Sequence, residues 1–371
     1  MSRPLTVVQI LPRLDAGGVE RGTLEVAEAL AQRGHRAIVV SAGGGLVDEL
    51  ERLGGEHVAI PVAAKSPFTL RAVRPLRRLL REASADILHA RSRVPAWVAR
   101  FAWTRMPEQS RPRFITTVHG LHSVSAYSAI MTRGEAVVAV SHAAERYIFD
   151  NYPATARDRV RVIHRGVDPS DFPHGFRPSD EWTTRWVREF PHLAGTRLVS
   201  IIGRLTRLKG HHEFITMIAR LRDTNAHGMI VGGEDPRRRA YAEELRERVE
   251  REGLSDRITF TGHRTDAREI AAVSDLVVSL STKPESFGRS VLEALRLGTP
   301  VLGWDHGGVG EVLAEIYPQG AVPLADEDTL AQRAAAALAH EKQTVPPSEK
   351  FTKQEMLDKT ISMYEELAGE R

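Results

Sequence analysis

The 371-residue sequence predicts an α/β protein built on two parallel sheets, and three observations carry that expectation. Short apolar runs alternate with helical segments, the pattern of a parallel sheet covered on both faces. The alternation stops once, between Pro169 and Thr196, and then restarts. The chain is also too long for one compact core, so two domains are the natural division.

In chain order, strands are expected at Thr6 to Leu11, Ala37 to Ala42, His57 to Val62, Asp86 to Ala90, Arg113 to Val118, Ala136 to Val140 and Val160 to His164. Helices are expected at Glu20 to Arg33 and, with Ser141 as N-cap, at Ala143 to Phe149. The stretch Pro169 to Thr196 reads as an interdomain connection with a short helical run containing Trp182 and Trp186. The pattern resumes with strands at Leu198 to Ile202, Met229 to Val231, Ile258 to Thr261, Leu276 to Leu280, Pro300 to Trp304 and Ala321 to Leu324. A last helix, Phe351 to Leu367, follows the loop Thr344-Val345-Pro346-Pro347. The division expected is therefore 1–170, 171–350 and a closing helical segment 351–371.

Composition narrows the class. A hydrophobic content of 42% with 27% charged residues is that of an ordinary globular protein. No run approaches a transmembrane span, and Met1 to Leu5 leads straight into a strand rather than a secretory signal, so a cytoplasmic location is expected. The absence of cysteine excludes disulfides, thiolate metal sites and cysteine nucleophiles. Charge is uneven: residues 1–170 hold 24 Lys+Arg against 16 Asp+Glu, the remainder 27 against 32. A basic first half points to phosphate-bearing partners.

The chemistry concentrates in Pro284-Glu285-Ser286-Phe287-Gly288-Arg289-Ser290-Val291-Leu292-Glu293-Ala294-Leu295, which follows the strand Leu276 to Leu280. It reads as a tight loop and then a helix starting near Gly288. Glu285 and Glu293 bracket it, roughly a dozen ångströms apart at most, and the N–H groups of the helix start between them suit a diphosphate. About eighty residues earlier, Gly203-Arg204-Leu205-Thr206-Arg207-Leu208-Lys209-Gly210 places cations on a loop at another strand's carboxyl end, where such folds bind phosphates. Asp15-Ala16-Gly17-Gly18 after the first strand is a third such loop, open to close approach by an anion.

The pairing of GRLxxxKG with E-x7-E inside PESFGxxxLEA resembles the retaining glycosyltransferases of family 4. That resemblance implies the GT-B architecture: two Rossmann-like domains facing across a cleft, with a C-terminal helix crossing back to the first. It implies transfer of a hexose-type sugar from a nucleotide-sugar donor, with a UDP-sugar expected, no further cofactor, and retention of the anomeric configuration. His119, in Thr117-Val118-His119-Gly120, matches the family's active-site histidine, and Glu285 the acid that holds the sugar hydroxyls. The implied donor contacts are Gly17, Gly18, Arg204, Lys209, His263, Arg264, Phe287, Gly288, Arg289, Ser290 and Glu293, with Glu293 on the ribose. Gly262 to Asp266 matches the segment whose backbone reads the base, so side chains there say little about which base it is.

Two departures stand out. Arg289 replaces a residue that is more often apolar in the family, and is open to a role on the diphosphate or a charged sugar, or to solvent. His164-Arg165 stands where the family usually has Pro-Asn, leaving Arg165 as a candidate acceptor or phosphate contact.

Asp326-Glu327-Asp328 has the Asp-x-Asp spacing of metal-dependent transferases, yet it opens a helix, Thr329 to His340, where acids are favoured by capping. No metal is expected, the positive charge coming from Arg204, Lys209 and a helix N-terminus.

The acceptor is read from the basic half. Arg71, Arg74, Arg77, Arg78 and Arg81 interleave with Leu70, Val73, Leu76, Leu79 and Leu80, and Trp97, Phe101 and Trp103 follow with further arginines. This suits either an anionic membrane surface or a solvated basic helix face. A lipid-linked or phosphorylated glycan acceptor is expected, and Gly307 to Leu313 resembles segments of transferases that build lipopolysaccharide cores. Other classes stay open: a GT-B sugar-nucleotide epimerase, or a non-catalytic nucleotide-binding partner subunit. Nucleic acid is not an expected partner, since no stacking-platform motif is present.

Overall fold

The structure, a computed structural model, describes residues 3–370 apart from 16, 64–66, 235–238 and 340–341. Ala16 of the first glycine loop and the expected helix end at His340 therefore lie outside the described residues. The chain divides into two compact units, Met1–His164 with Gln354–Arg371, and Arg165–Lys353.

The first unit holds β1 (Thr6–Ile10), α1 (Gly18–Gln32), β2 (Arg36–Ser41), α2 (Val47–Arg52), β3 (Glu56–Ala59), α3 (Val73–Glu82), β4 (Ile87–Ala90), α4 (Arg93–Thr104), β5 (Arg113–Val118), β6 (Ala136–Ala139), α5 (His142–Asn151) and β7 (Val160–Val162). Its strands form one parallel sheet in the order β3-β2-β1-β4-β5-β6-β7. The central strands read as unbroken apolar runs because both faces are covered; Val7, Val8 and Ile10 of β1 are fully buried. Ser141 caps α5, its hydroxyl accepting from the N–H of Ala144 at 2.9 Å. Pro75 falls in the first turn of α3, where no intrahelical N–H is needed, so the helix tolerates it.

The second unit carries α6 (Asp180–Glu189), β8 (Arg197–Ile202), α7 (His211–Arg220), β9 (Ala226–Val231), α8 (Arg239–Arg251), β10 (Ile258–Gly262), α9 (Ala267–Val273), β11 (Leu276–Ser279), α10 (Arg289–Arg296), β12 (Val301–Trp304), α11 (Gly307–Ile316), β13 (Ala321–Val322) and α12 (Glu327–Leu338). Its parallel sheet runs β10-β9-β8-β11-β12-β13. One face packs on α7, α8 and α12 through Phe214, Ile218, Leu245 and Leu330. The helical run with the two tryptophans is more than a connection. Trp182 and Trp186 of α6, with Phe190 just after it, pack with Leu198, Met229, Val231 and Ile270 and so form part of the second unit's core.

The last helix, α13 (Lys353–Gly369), buries Met356, Leu357, Ile361, Tyr364 and Leu367 in the first unit's core with Val7, Val39, Ile87 and Ile115. Inside it, the Tyr364 hydroxyl meets His89 Nδ1 at 2.6 Å, and His89 Nε2 meets the Thr117 hydroxyl at 2.6 Å.

Candidate active site

Both sheets start from a central strand, build outward to one edge, and return to build the other. In the second unit the reversal falls between β8 and β11, which pair through Val199↔Leu276, Ser200↔Val277 and Ile201↔Val278. Ligands of open α/β sheets bind at the carboxyl ends of strands at such a reversal. The loops leaving these two strands are Gly203 to Gly210 and Leu280 to Gly288, the two stretches that carry the sequence motifs.

The loops are tied together closely. The N–H of Thr282 donates to Leu208 O at 2.9 Å. Gly210, with φ of +75°, starts α7 against β11; a Cβ there would lie 1.9 Å from Leu280 O, so only glycine allows this approach. Lys209 is thereby held in a short 3-10 turn, and its Nζ donates to Glu285 Oε1 at 2.7 Å across 76 residues of sequence. The Ser281 hydroxyl donates to the same oxygen.

Glu285 is fixed through its backbone as well. Its carbonyl accepts from the N–H of Gly308 at 2.7 Å, and a Cβ on Gly308 would stand 2.2 Å from Phe287 Cα. His306, at the end of β12, donates from Nε2 to Ser281 O at 2.8 Å. Burial pushes the Glu285 carboxyl up, but the Lys209 ammonium, the Ser281 hydroxyl and the nearby His306 outweigh it and hold the group below the ordinary range. The result is an ionised acid, partly open to solvent, beside a cation. Such a group accepts hydroxyl protons while its neighbour offers charge to an anion.

Helix α10 begins at Arg289 with Gly288 as its N-cap, near where the sequence places its start, with Phe287 buried edge-on against Phe351 at 5.6 Å. Its first turn, with half-buried Ser290, presents the N–H groups that a helix start leaves without intrahelical partners. Arg289 runs along the helix rather than into solvent: its Nε donates to Glu293 Oε1 at 2.8 Å, an i,i+4 pair. Burial raises the Glu293 pKa and Arg289 only partly offsets it. Arg204 is exposed beside the turn.

His263 is exposed after β10, near Gly233. Its neighbour Arg264, expected among the donor contacts, is turned to other partners. The guanidinium forks onto Asp266 at 2.9 and 2.8 Å and reaches Glu189 of α6 at 2.6 Å.

In the first unit, Gly17 caps α1 and Gly18 begins it at the carboxyl end of β1, while His119 follows β5. β4 separates β1 from β5, so the two strands lie about 10 Å apart and their loops leave from one end of the sheet. Arg165, a candidate phosphate contact by sequence, is buried. Sequence reading missed Ser281 and His306. The signal for His306 was faint: a single histidine closing a strand before Gly307-Gly308.

Asp326 does cap a helix: its Oδ1 accepts from the N–H of Thr329 at 2.9 Å at the start of α12, and Asp328 pairs with Arg220.

Comparison with known proteins gives this geometry its class. Residues 16–171 match the model described as Glycosyltransferase Family 4, and residues 183–354 that described as Glycosyl transferases group 1. The lipopolysaccharide core biosynthesis mannosyltransferase LpsB of Rhizobium meliloti (strain 1021) is 30% identical over 210 residues, 56% of this chain and 56% of the relative. Against another curated relative the chain spans only 38% of its length. A glycosyltransferase from Rickettsia africae ESF-5 superposes with a TM-score of 0.86 at 26% identity, covering 98% of this chain and 99% of that one. Anabaena Alr3699/HepE in complex with UDP and glucose shares the fold at a TM-score of 0.79 and 20% identity, over 97% of this chain and 99% of that one. The architecture is GT-B and the enzyme class is that of a glycosyltransferase. The chain belongs to glycosyltransferase family 4.

Proposed function

We propose that this glycosyltransferase moves a hexose-type sugar from a UDP-sugar to a lipid-linked or phosphorylated glycan acceptor, with retention at the anomeric carbon. The observation that carries the donor half is the Lys209–Glu285 pair beneath the start of α10, at the reversal between β8 and β11. Glu285 holds the sugar hydroxyls, Glu293 the ribose, and Lys209, Arg204 and the α10 N-terminus the diphosphate.

In the reaction, the C1–O bond to the diphosphate breaks as the acceptor oxygen bonds C1 from the same face. The acceptor's proton passes to the departing phosphate oxygen. Positive charge builds on the ring and negative charge on the leaving group, and Lys209, Arg204 and the helix start stabilise the latter without a metal. With Asp326 capping α12 and Asp328 paired to Arg220, the Asp-x-Asp triplet already has structural work.

For the acceptor, support comes from the basic first unit and from LpsB, itself named for lipopolysaccharide core biosynthesis. Arg71, Arg74, Arg78 and Arg81 are exposed along α3 and the turn before it, next to exposed Leu70. This favours work at the cytoplasmic face of an anionic membrane. No helix among the described residues is long and apolar enough to cross one.

The test is nucleotide release from UDP-, ADP- and GDP-sugars with EDTA present and no added acceptor. Release from a UDP-sugar alone is the expected result. Activity that returns only with Mg²⁺ or Mn²⁺ would refute the metal-free mechanism, and a preference for ADP- or GDP-sugars the choice of donor.

A further inference from the structure

The loop after β10 is built with an unusual sacrifice. Asp266 occupies the N-cap position of α9, where an aspartate ordinarily accepts an N–H from the first turn, yet its carboxylate makes no such cap bond. Both oxygens are committed elsewhere. Arg264 takes Oδ1 and Oδ2 at 2.9 and 2.8 Å, and the indole Nε1–H of Trp182 donates to Oδ2 at 2.8 Å. Arg264 also reaches Glu189 at 2.6 Å and sits 5.7 Å from the Phe190 ring centre.

The chain of contacts Trp182–Asp266–Arg264–Glu189 therefore joins the loop to both ends of α6. That helix is itself rigid at this face: Trp182 and Trp186 stack at 4.9 Å and 16°, and Trp186 packs on Phe190 at 4.7 Å. On its inner side the same loop is pinned by Gly232 N–H to Gly262 O at 3.1 Å. Between α6 and the loop lies a cavity of about 370 Å³, lined by Trp182, Arg185, Trp186, Glu189, His263 and Arg264 among others. Without the clamp, the loop could relax into that space.

We infer that Trp182, Arg264, Asp266 and Glu189 are positioning residues for recognition of the nucleotide base: they set the backbone of His263 to Thr265 from behind and make α6 part of the donor site. The inference rests on the proposed donor reading, with the base lying on the backbone of Gly262 to Asp266 as the family resemblance implies. Polar backbone groups discriminate a base only when held to hydrogen-bonding geometry, and a loop free to move spends affinity on its own ordering.

The experiment compares wild type with Trp182→Phe, which keeps an aromatic ring of smaller size and removes the donor, and with Glu189→Gln, which weakens the far end. Calorimetric titration with UDP, ADP, GDP and inorganic pyrophosphate is run beside thermal unfolding. The clamp requires that the best-bound nucleoside diphosphate weakens about tenfold, the scale of one lost hydrogen bond to a charged group. Pyrophosphate, which has no base, stays within about twofold. Unchanged nucleotide binding, or an equal loss for pyrophosphate, overturns the inference and leaves the donor reading standing. If the wild type binds no nucleoside diphosphate, the donor reading falls and the inference with it. Should one variant not fold, the other decides.

Discussion

Removing the Lys209 ammonium tests the site most directly, because two consequences of different kind follow from one bond. In Lys209→Ala, Glu285 keeps Ser281 but loses its cation at 2.7 Å. Breaking a fully buried pair costs about 3–5 kcal/mol and an exposed one under about 1. The side chains here are 31% and 25% exposed, so a loss of roughly 1–2 kcal/mol in stability is expected. The catalytic loss should be larger, about 10²–10³ in turnover, as for removal of one group aimed at developing negative charge.

The stability cost also carries a pH signature. In the wild type the folded Glu285 lies below its ordinary 4.5, so its contribution is present above that pH and is lost as pH falls through the folded value. Without Lys209, burial is opposed only by Ser281 and His306, so the folded pKa rises, stabilisation at neutral pH is reduced, and the penalty fades on acidification. Urea unfolding of both proteins at about pH 7 and about pH 4 reads this, and donor hydrolysis reads the catalytic part. A penalty independent of pH, or turnover within about threefold of wild type, would refute the reasoning.

Other perturbations test separate parts. Gly308→Ala forces a methyl to 2.2 Å from Phe287 Cα and should cost about 1–3 kcal/mol and weaken nucleotide binding, whereas Gly369→Ala, with nothing within 4 Å, should do neither; urea midpoints and calorimetry decide. Tyr364→Phe leaves a buried ring nitrogen of His89 without its 2.6 Å partner, so the first unit should lose about 1–3 kcal/mol in chemical denaturation with nucleotide affinity unchanged. Acid should destabilise the second unit: burial pushes both His211 and His227 down to about 4, against 6.5 unfolded. The unfolded chain then binds more protons, so stability falls between those values by up to about 1.4 kcal/mol per pH unit per histidine, and a flat profile from pH 6.5 to 4 would contradict it.

Much of the fold was readable because buried parallel strands are unbroken apolar runs. Arg113 to Val118 is β5 to the residue, and Arg197–Ile202 starts one residue ahead of its expected place. The start of α10 next to Gly288 and the cap at Ser141 were also legible, since a helix start is written in a few adjacent residues. Lys209 and Glu285 were named by the resemblance of their two motifs, taken together, to family 4. The Arg289–Glu293 pair obeys an i,i+4 rule that the sequence displays, yet the same spacing leaves an arginine equally suited to solvent.

Tertiary structure decided the rest. Local periodicity says that a face is buried but not against what, so Trp182 and Trp186 read as part of a connection until α6 is seen packed on Met229 and Ile270. Arg264 has the same identity whether it meets a nucleotide or Glu189, and only the placement of α6, 75 residues earlier, turns it to the second. Ser281 and His306 carry no pattern of their own. They join Glu285 because β11 and β12 pair in one register, Val277↔Val301 and Ser279↔Gly303, which brings the ends of the two strands side by side. The candidate site residues were thus named by short motifs, while their hydrogen-bond partners came from strand pairing, which joins segments that no local pattern connects.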